Sequence, residues 1–279
     1  MPPAFSETVL PNGMKLFCLS EREAQLFYEQ VQAYFMNGVK LREGDTVFDA
    51  GANIGVFTLL VHERCNRNAV VYAFEPIPVV SQVLQRNAQR YGPEDLRVFP
   101  YGLASRCGTT TFTYYPNATG LSTAYPDRQE VLRRKMRVFH SMIERSPLFS
   151  RDVDDSLPPH LGARLRRVRA LLILRDLFRS EPVTCQVVTL SHVITKYDVK
   201  RIDLLKMDVE KSELDVLHGI GDQDWPKIRQ VVMEVHEENH LLQKVMALLK
   251  ARGFNRIIIE QDPDTEALGC FIVYALRSE

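Results

Sequence analysis

The chain is short of cysteine, has a single tryptophan, carries no surplus of either charge and contains no long apolar run. The five cysteines (Cys18, Cys65, Cys107, Cys185 and Cys270) are odd in number and widely spaced, with no C-x-x-C pair. That excludes a disulfide framework or a zinc ribbon and fits reduced thiols in a cytoplasm. Lys plus Arg and Asp plus Glu both number 35, a net charge of zero. A chain basic all over, as a general nucleic-acid binder would be, and a highly charged disordered chain are both excluded. No apolar stretch approaches the ~20 residues that span a bilayer. Residues 1–7 have neither a basic n-region nor an apolar h-region, so no secretory signal is expected. The expectation is a cytoplasmic protein with no membrane and no nucleic-acid partner. What is present is ordinary: 279 residues, 45% hydrophobic and 25% charged, enough for one large globular domain or two small ones.

The pattern along the chain is of two kinds. Residues 1–44 read as a hairpin around Pro11-Asn12-Gly13, then a cap helix that starts at Ser20 with Glu21 and Glu23 in its first turn. From Asp45 short apolar runs alternate with helix-period segments. The runs are 46–48, 69–74 and 96–99, and after a break 183–190, 202–207 and 229–235. Two last runs, 256–260 and 270–276, look like an antiparallel pair at one edge. Alternation of buried strands and amphipathic helices predicts an α/β fold, a mostly parallel sheet of about seven strands with helices on both faces. The predicted division is a cap (1–44), a cofactor-binding half (45–124), a helical insertion (125–181) and a second half (182–279). The insertion, with helices expected at 129–143 and 160–178, holds thirteen Lys/Arg against eight Asp/Glu. The zero net charge is thus a cancellation of a basic insertion by an acidic remainder.

The richest motif is Val47-Phe48-Asp49-Ala50-Gly51-Ala52-Asn53-Ile54-Gly55-Val56-Phe57-Thr58, a strand, a glycine turn and a helix start. Such a turn lets backbone approach a ligand, and a helix N-terminus favours negative charge. Glu75 ends the next run, placed to accept hydrogen bonds from both hydroxyls of a ribose. Together they predict a nucleoside-containing cofactor. A dinucleotide fingerprint would need glycine where Asn53 stands, and Asp49 would repel phosphate. A carboxylate beside a glycine turn suits the amino-acid end of S-adenosylmethionine. A nicotinamide or nucleotide-sugar enzyme with the same turn is the alternative, and a non-catalytic docking module of the same fold is a third.

Phe48-Asp49-Ala50-Gly51-Ala52-Asn53-Ile54-Gly55, Tyr72-Ala73-Phe74-Glu75-Pro76 and Leu204-Leu205-Lys206-Met207-Asp208-Val209-Glu210, in that order, resemble the FkbM-type S-adenosylmethionine-dependent methyltransferases. The openings Leu10-Pro11-Asn12-Gly13 and Tyr114-Tyr115-Pro116-Asn117-Ala118-Thr119-Gly120-Leu121-Ser122-Thr123 further resemble the versions embedded in polyketide and nonribosomal peptide synthases. The resemblance implies a class I, Rossmann-like methyltransferase fold and O-methylation of a hydroxyl or carboxyl of a natural-product intermediate. The acceptor would be a small molecule or tethered to a carrier protein. It implies that Asp49, Gly51, Asn53 and Gly55 line the methionine part, with Glu75, Pro76 and Ile77 at the ribose. Gly102 and Leu103 would flank the adenine. Lys206 and Asp208 would stand where donor and acceptor meet. Asn117, Thr119 and Ser122 are candidates for facing the acceptor.

For the acceptor's proton two arrangements fit. In one, His236, two residues after Glu234 at the end of a strand, is general base, an imidazole of ordinary pKa ~6.5 being usable at neutral pH. In the other, Asp208, Glu234 and His236 hold a divalent metal that acidifies the hydroxyl. A purely structural His236 is the third reading. The basic insertion, with Arg133, Arg134 and Arg137 in one run, is either a solvated helix face or a lid that docks an acidic carrier protein.

Overall fold

A computed structural model describes residues 5–127, 168–169, 171–237, 240–261 and 269–277. The first expected helix of the insertion, 129–143, lies outside them, as do Arg133, Arg134 and Arg137; of the second, expected at 160–178, residues 171–177 are described and helical.

The cap comes first. Strands β1 (Ser6–Val9) and β2 (Lys15–Cys18) pair antiparallel. Helix α1 (Glu21–Val31) follows, the Ser20 hydroxyl accepting from the Glu23 N–H. It tightens into a 3₁₀ turn, Gln32–Phe35, well before Gly38. The core is a seven-stranded sheet: β3 (Asp45–Ala50), β4 (Ala69–Phe74), β5 (Leu96–Phe99), β9 (Leu204–Met207), β10 (Gln230–His236), β11 (Arg256–Glu260) and β12 (Cys270–Leu276). Its order is β11-β12-β10-β9-β3-β4-β5, and all pairs are parallel except those made by β12. This is the expected α/β class I architecture, with the antiparallel pair at one edge. The inner strands are buried along almost their whole length, as both faces are covered. Phe48, Tyr72, Phe74 and Phe99 stack across β3, β4 and β5, with centroids 4.7 Å apart for Phe48–Tyr72 and 5.1 Å for Phe74–Phe99. Each such ring contributes about 1.5–3 kcal/mol by burial.

One expected strand lies elsewhere. Residues 183–190 fall in β8 (Glu181–Val188), which leaves the main sheet to pair with β6 (Gly102–Leu103) and β7 (Gly108–Tyr114). The physical reason is visible in the chain. Val183, Cys185 and Val187 alternate with polar residues, the signature of a strand with one wet face. Its partner β7, Gly-Thr-Thr-Thr-Phe-Thr-Tyr, is rich in β-branched residues but too polar to stand out as a buried run.

Strand order sets the place of the site. From β3 the chain crosses by α2 (Val56–Arg64) to β4 and by α3 (Pro78–Tyr91) to β5, all on one side. It returns to the other side at β9 and moves on to β10. The two halves therefore part between β3 and β9, and a crevice opens at the carboxyl ends of these strands. Gly51 follows β3 there, and Asp208 follows β9. Asn87 on α3 ties the cap to this place: its amide donates to Phe17 O (2.9 Å) and Ile54 O (2.8 Å), and its oxygen accepts from Phe17 N (2.8 Å). Tyr274 on β12 ties the 3₁₀ turn down by donating to Ala33 O (2.8 Å).

Candidate active site

The crevice is a cavity enclosing about 910 Å³, open solvent at its mouth included. Gly51, Asn53, Glu75, Pro76, Ile77, Gly102, Leu103, Thr119, Ser122, Lys206 and Asp208 all line it. Gly55, at φ +93°, ends the turn at the cap position of α2, and a Cβ there would meet Leu84 Cδ1 at 2.6 Å. The N–H groups of the turn are taken up within the protein. Gly51 N and Ala52 N donate to Phe74 O, Asn53 N to Glu75 Oε2, Ile54 N to Asn53 Oδ1 and Gly55 N to Ala52 O. Only α2 itself, further on, begins with the dipole that the sequence suggested for an anion, so the turn reads as a shaped wall rather than a phosphate cradle.

Glu75 is fixed by the turn it serves. One carboxylate oxygen accepts from Asn53 N (3.1 Å), the other from Ile77 N (2.9 Å). Burial pushes its pKa up to about 7, against the pull of those two N–H groups and of Lys206. Asp49 stands differently from expectation. It does not line the cavity; it is sealed beneath it, wholly unexposed, accepting from Thr58 Oγ1 at 2.6 Å with Lys206 Nζ 3.1 Å away. Lys206 also donates to Gly51 O (2.9 Å) and lies 3.9 Å from Asp208. Burial alone would lower the pKa of this lysine, but Asp49 and then Asp208 hold it above the ordinary value.

Beyond Lys206 the wall is acidic. The Tyr34 hydroxyl, delivered by the 3₁₀ turn of the cap, reaches both Asp208 Oδ2 (3.1 Å) and Glu234 Oε2 (3.2 Å). Burial raises the Tyr34 pKa well above the usual phenol, and the two carboxylates raise it further. Glu210 and Lys211 follow β9 in left-handed backbone, φ +43° and +75°, which turns Glu210 back toward the cavity. His236 sits one layer behind. Its Nδ1 is 2.8 Å from Glu213 Oε1, and its Nε2 is 3.3 Å from Glu210 Oε2 and 3.5 Å from Glu234 Oε1. Burial alone would lower its pKa. The charge of Glu210 and the bond to Glu213 override that and lift it to about 10, far from the value near 6.5 on which the free-base reading was framed. Burial and Asp208 raise the Glu234 carboxyl above its usual range.

Of the three residues expected around a metal, Glu234 and His236 face each other, whereas Asp208 turns to Tyr34. Cys270, opposite His236 in the β10–β12 register, joins them instead by donating to Glu234 Oε1 (2.8 Å). Thr119 meets Asn53 Nδ2 at 3.1 Å and so sits over the turn. Asn117 is not at the cavity; it donates to Asp176 O in the insertion. The sequence analysis assigned no site role to Tyr34, Cys270, Glu210 or Glu213. The clue for the last two was the spacing Asp208-x-Glu210-x-x-Glu213 directly after a buried strand.

The model of the methyltransferase FkbM domain matches residues 49–256. The 31-O-demethyl-FK506 methyltransferase FkbM of Streptomyces tacrolimicus is 38% identical over 262 residues, covering 91% of this chain and 90% of that protein. The AMB antimetabolite synthetase AmbE of Pseudomonas aeruginosa is 33% identical over 284 residues, 97% of this chain but 12% of the synthetase. Methyltransferase sdnD of Sordaria araneosa is 29% identical and covers 89% of each chain. Among solved structures, an S-adenosylmethionine-dependent O-methyltransferase of Thermotoga maritima aligns at TM-score 0.46 and 13% identity, over 100% of this chain and 78% of that one. With its family model matched across the sheet and a relative matched nearly end to end, the chain belongs to the FkbM family of S-adenosylmethionine-dependent methyltransferases.

Proposed function

We propose that the chain methylates a hydroxyl oxygen of a natural-product intermediate, presented free or tethered to a carrier protein. The observation that carries this reading is one cavity running from the Gly51–Gly55 turn and Glu75 to an acidic end at Asp208 and Glu210. Carboxylates there suit the sulfonium and ammonium of the methyl donor and repel a pyrophosphate, which disfavours the nicotinamide and nucleotide-sugar alternatives. They disfavour a carboxylate acceptor for the same reason, leaving the hydroxyl. In the transfer the C–O bond forms as the C–S bond breaks, its electron pair staying on sulfur. The hydroxyl proton passes to Asp208, which Tyr34 and Lys206 position. The Streptomyces relative is named for a 31-O-demethyl acceptor, and the AmbE match lies within a much longer synthetase; these support an oxygen acceptor and a tethered presentation respectively.

The test is to incubate the chain with methyl-labelled S-adenosylmethionine and hydroxy-acyl substrates, free and as carrier-protein thioesters. Label is expected on oxygen, absent from the deoxy analogues. Label on nitrogen or carbon would overturn the reading.

Glu75 gives a pH dependence. Ribose hydroxyls donate, so binding favours the ionised carboxylate, and the ligand-free group carries its proton below about pH 7. Affinity for S-adenosylhomocysteine should rise with pH through 7 and level off above. It should be about tenfold weaker at pH 6 than at pH 8. Calorimetric titration of the wild type against Glu75→Gln checks it: the variant binds more weakly, and the Glu75 part of the slope disappears. Parallel slopes in the two proteins would place the ribose elsewhere.

A further inference from the structure

We propose that Glu234, His236 and Cys270 bind a divalent first-row transition-metal ion of the zinc, cobalt or iron(II) type, with a fourth position facing Glu210 and the cavity. Glu234 Oε1, His236 Nε2 and Cys270 Sγ all lie within 4.8 Å of one another. The set is not the one the sequence suggested, since Asp208 is engaged by Tyr34 and Cys270 takes its place.

Acidic side chains gathered together would not by themselves make such a site; the imidazole does. His236 is 3% exposed, and its Nε2 has no hydrogen-bond partner although two carboxylates stand around it. Its other nitrogen is held at 2.8 Å by Glu213, itself fully buried. A carboxylate that fixes one ring nitrogen and turns the other toward neighbouring ligands is the arrangement of metal-binding histidines. The spacing agrees. Two ligand atoms bound about 2.1 Å from one tetrahedral ion stand about 3.4 Å apart, and His236 Nε2 is 3.5 Å from Glu234 Oε1.

The chemistry of the donors selects the ion. A thiolate with an imidazole favours zinc-like ions over magnesium, which prefers oxygen. Binding the ion releases two protons to solvent: the thiol proton that Cys270 gives to Glu234, and the Nε2 proton that the raised pKa of His236 keeps on the imidazole. Three protein ligands with an open fourth position is the layout of a catalytic site, and Glu210, whose Oε2 is 3.3 Å from His236 Nε2, stands between the cluster and the cavity it lines. The purpose rests on the hydroxyl-acceptor reading above: such an ion would acidify the acceptor hydroxyl, a task that a carboxylate such as Asp208 performs poorly alone.

The full chain, stripped with chelator, is titrated with Zn²⁺, Co²⁺ and Mg²⁺ by calorimetry, and with S-adenosylhomocysteine on the same sample. The expected result is one Zn²⁺ or Co²⁺ per chain, no Mg²⁺, and a thiolate-to-cobalt absorption band that Cys270→Ser removes. His236→Gln and Glu234→Gln should lose the ion, and Glu213→Gln should weaken it by about 10–100-fold. Asp222→Asn, at an exposed carboxylate paired with Arg252, should bind as the wild type does. Melting curves report folding, and if a variant fails to fold, the cobalt spectrum of the wild type decides. A chain that binds S-adenosylhomocysteine but takes up no ion overturns the proposal, as does an ion retained in full by folded His236→Gln. Failure to bind S-adenosylhomocysteine would instead count against the donor site.

Discussion

Replacing Gly51 by alanine is expected to abolish S-adenosylhomocysteine binding and to destabilise the fold by about 4 kcal/mol or more, a fall in melting temperature on the order of 10 °C. Two costs combine. Gly51 has φ +76°, a conformation that costs an L-residue about 1–2 kcal/mol. The larger cost is contact: a Cβ would lie 1.8 Å from Asp208 O and 2.8 Å from the Asp208 carbonyl carbon. Those are backbone atoms, so β3 and β9 must part where Asp208 N donates to Ala50 O at 3.0 Å. The same shift moves Gly51 O off Lys206 and opens the crevice between donor and acceptor. Gly13 supplies the control, since its φ is +87° but nothing lies within 4 Å of a built Cβ. Gly13→Ala should cost only the backbone term, about 1–2 kcal/mol, and leave binding intact. Chemical denaturation and calorimetry of the two variants check it. Equal losses in both would mean that conformation, rather than the approach of the two strands, requires glycine at 51.

That contrast also shows what can be read from a chain. The glycine turn, Glu75 and the runs at 69–74 and 96–99 were legible because each is local: an apolar run, a turn and an acid in fixed sequence. The antiparallel edge pair was legible for the same reason. The short sheet of β6, β7 and β8 was not separated from the main one, though the alternating burial of β8 against the continuous burial of β3 and β4 held the distinction. The acidic wall was legible only in part. Glu234 and His236 share a face because they are two apart on a strand. Tyr34 joins them from 200 residues away, and its position depends on how the cap is pinned by Asn87 and Tyr274. Glu213 looks like any first-turn acid in the sequence, and only packing against β10 buries it on His236. Asp49 was read as facing the ligand. Its side chain points into the layer below, where Thr58 and Lys206 satisfy it.

Lys206→Met is expected to destabilise the protein by about 3–5 kcal/mol, because it leaves the Asp49 carboxylate buried and without its counter-charge. Lys206 is 2% exposed, and its Nζ lies 3.1 Å from Asp49 and 2.9 Å from Gly51 O. Methionine fills most of the same volume beside Tyr34 and Phe57, so the loss reports charge rather than a cavity. The partner substitution separates the two jobs of this lysine. Asp49→Asn keeps an acceptor for the Thr58 hydroxyl and removes the negative charge. In the double variant the buried charge is gone, and stability should return to within about 1–2 kcal/mol of the wild type, a coupling of a few kcal/mol between the two sites. Binding of S-adenosylhomocysteine should not return with it, since Gly51 O still lacks its donor and Asp208 its neighbouring cation. Urea denaturation of the four proteins gives the coupling, and calorimetry gives the binding. Additive stability losses would mean that Asp49 and Lys206 are held apart by solvent. Binding restored together with stability would reduce Lys206 to a counter-ion with no part in shaping the donor site.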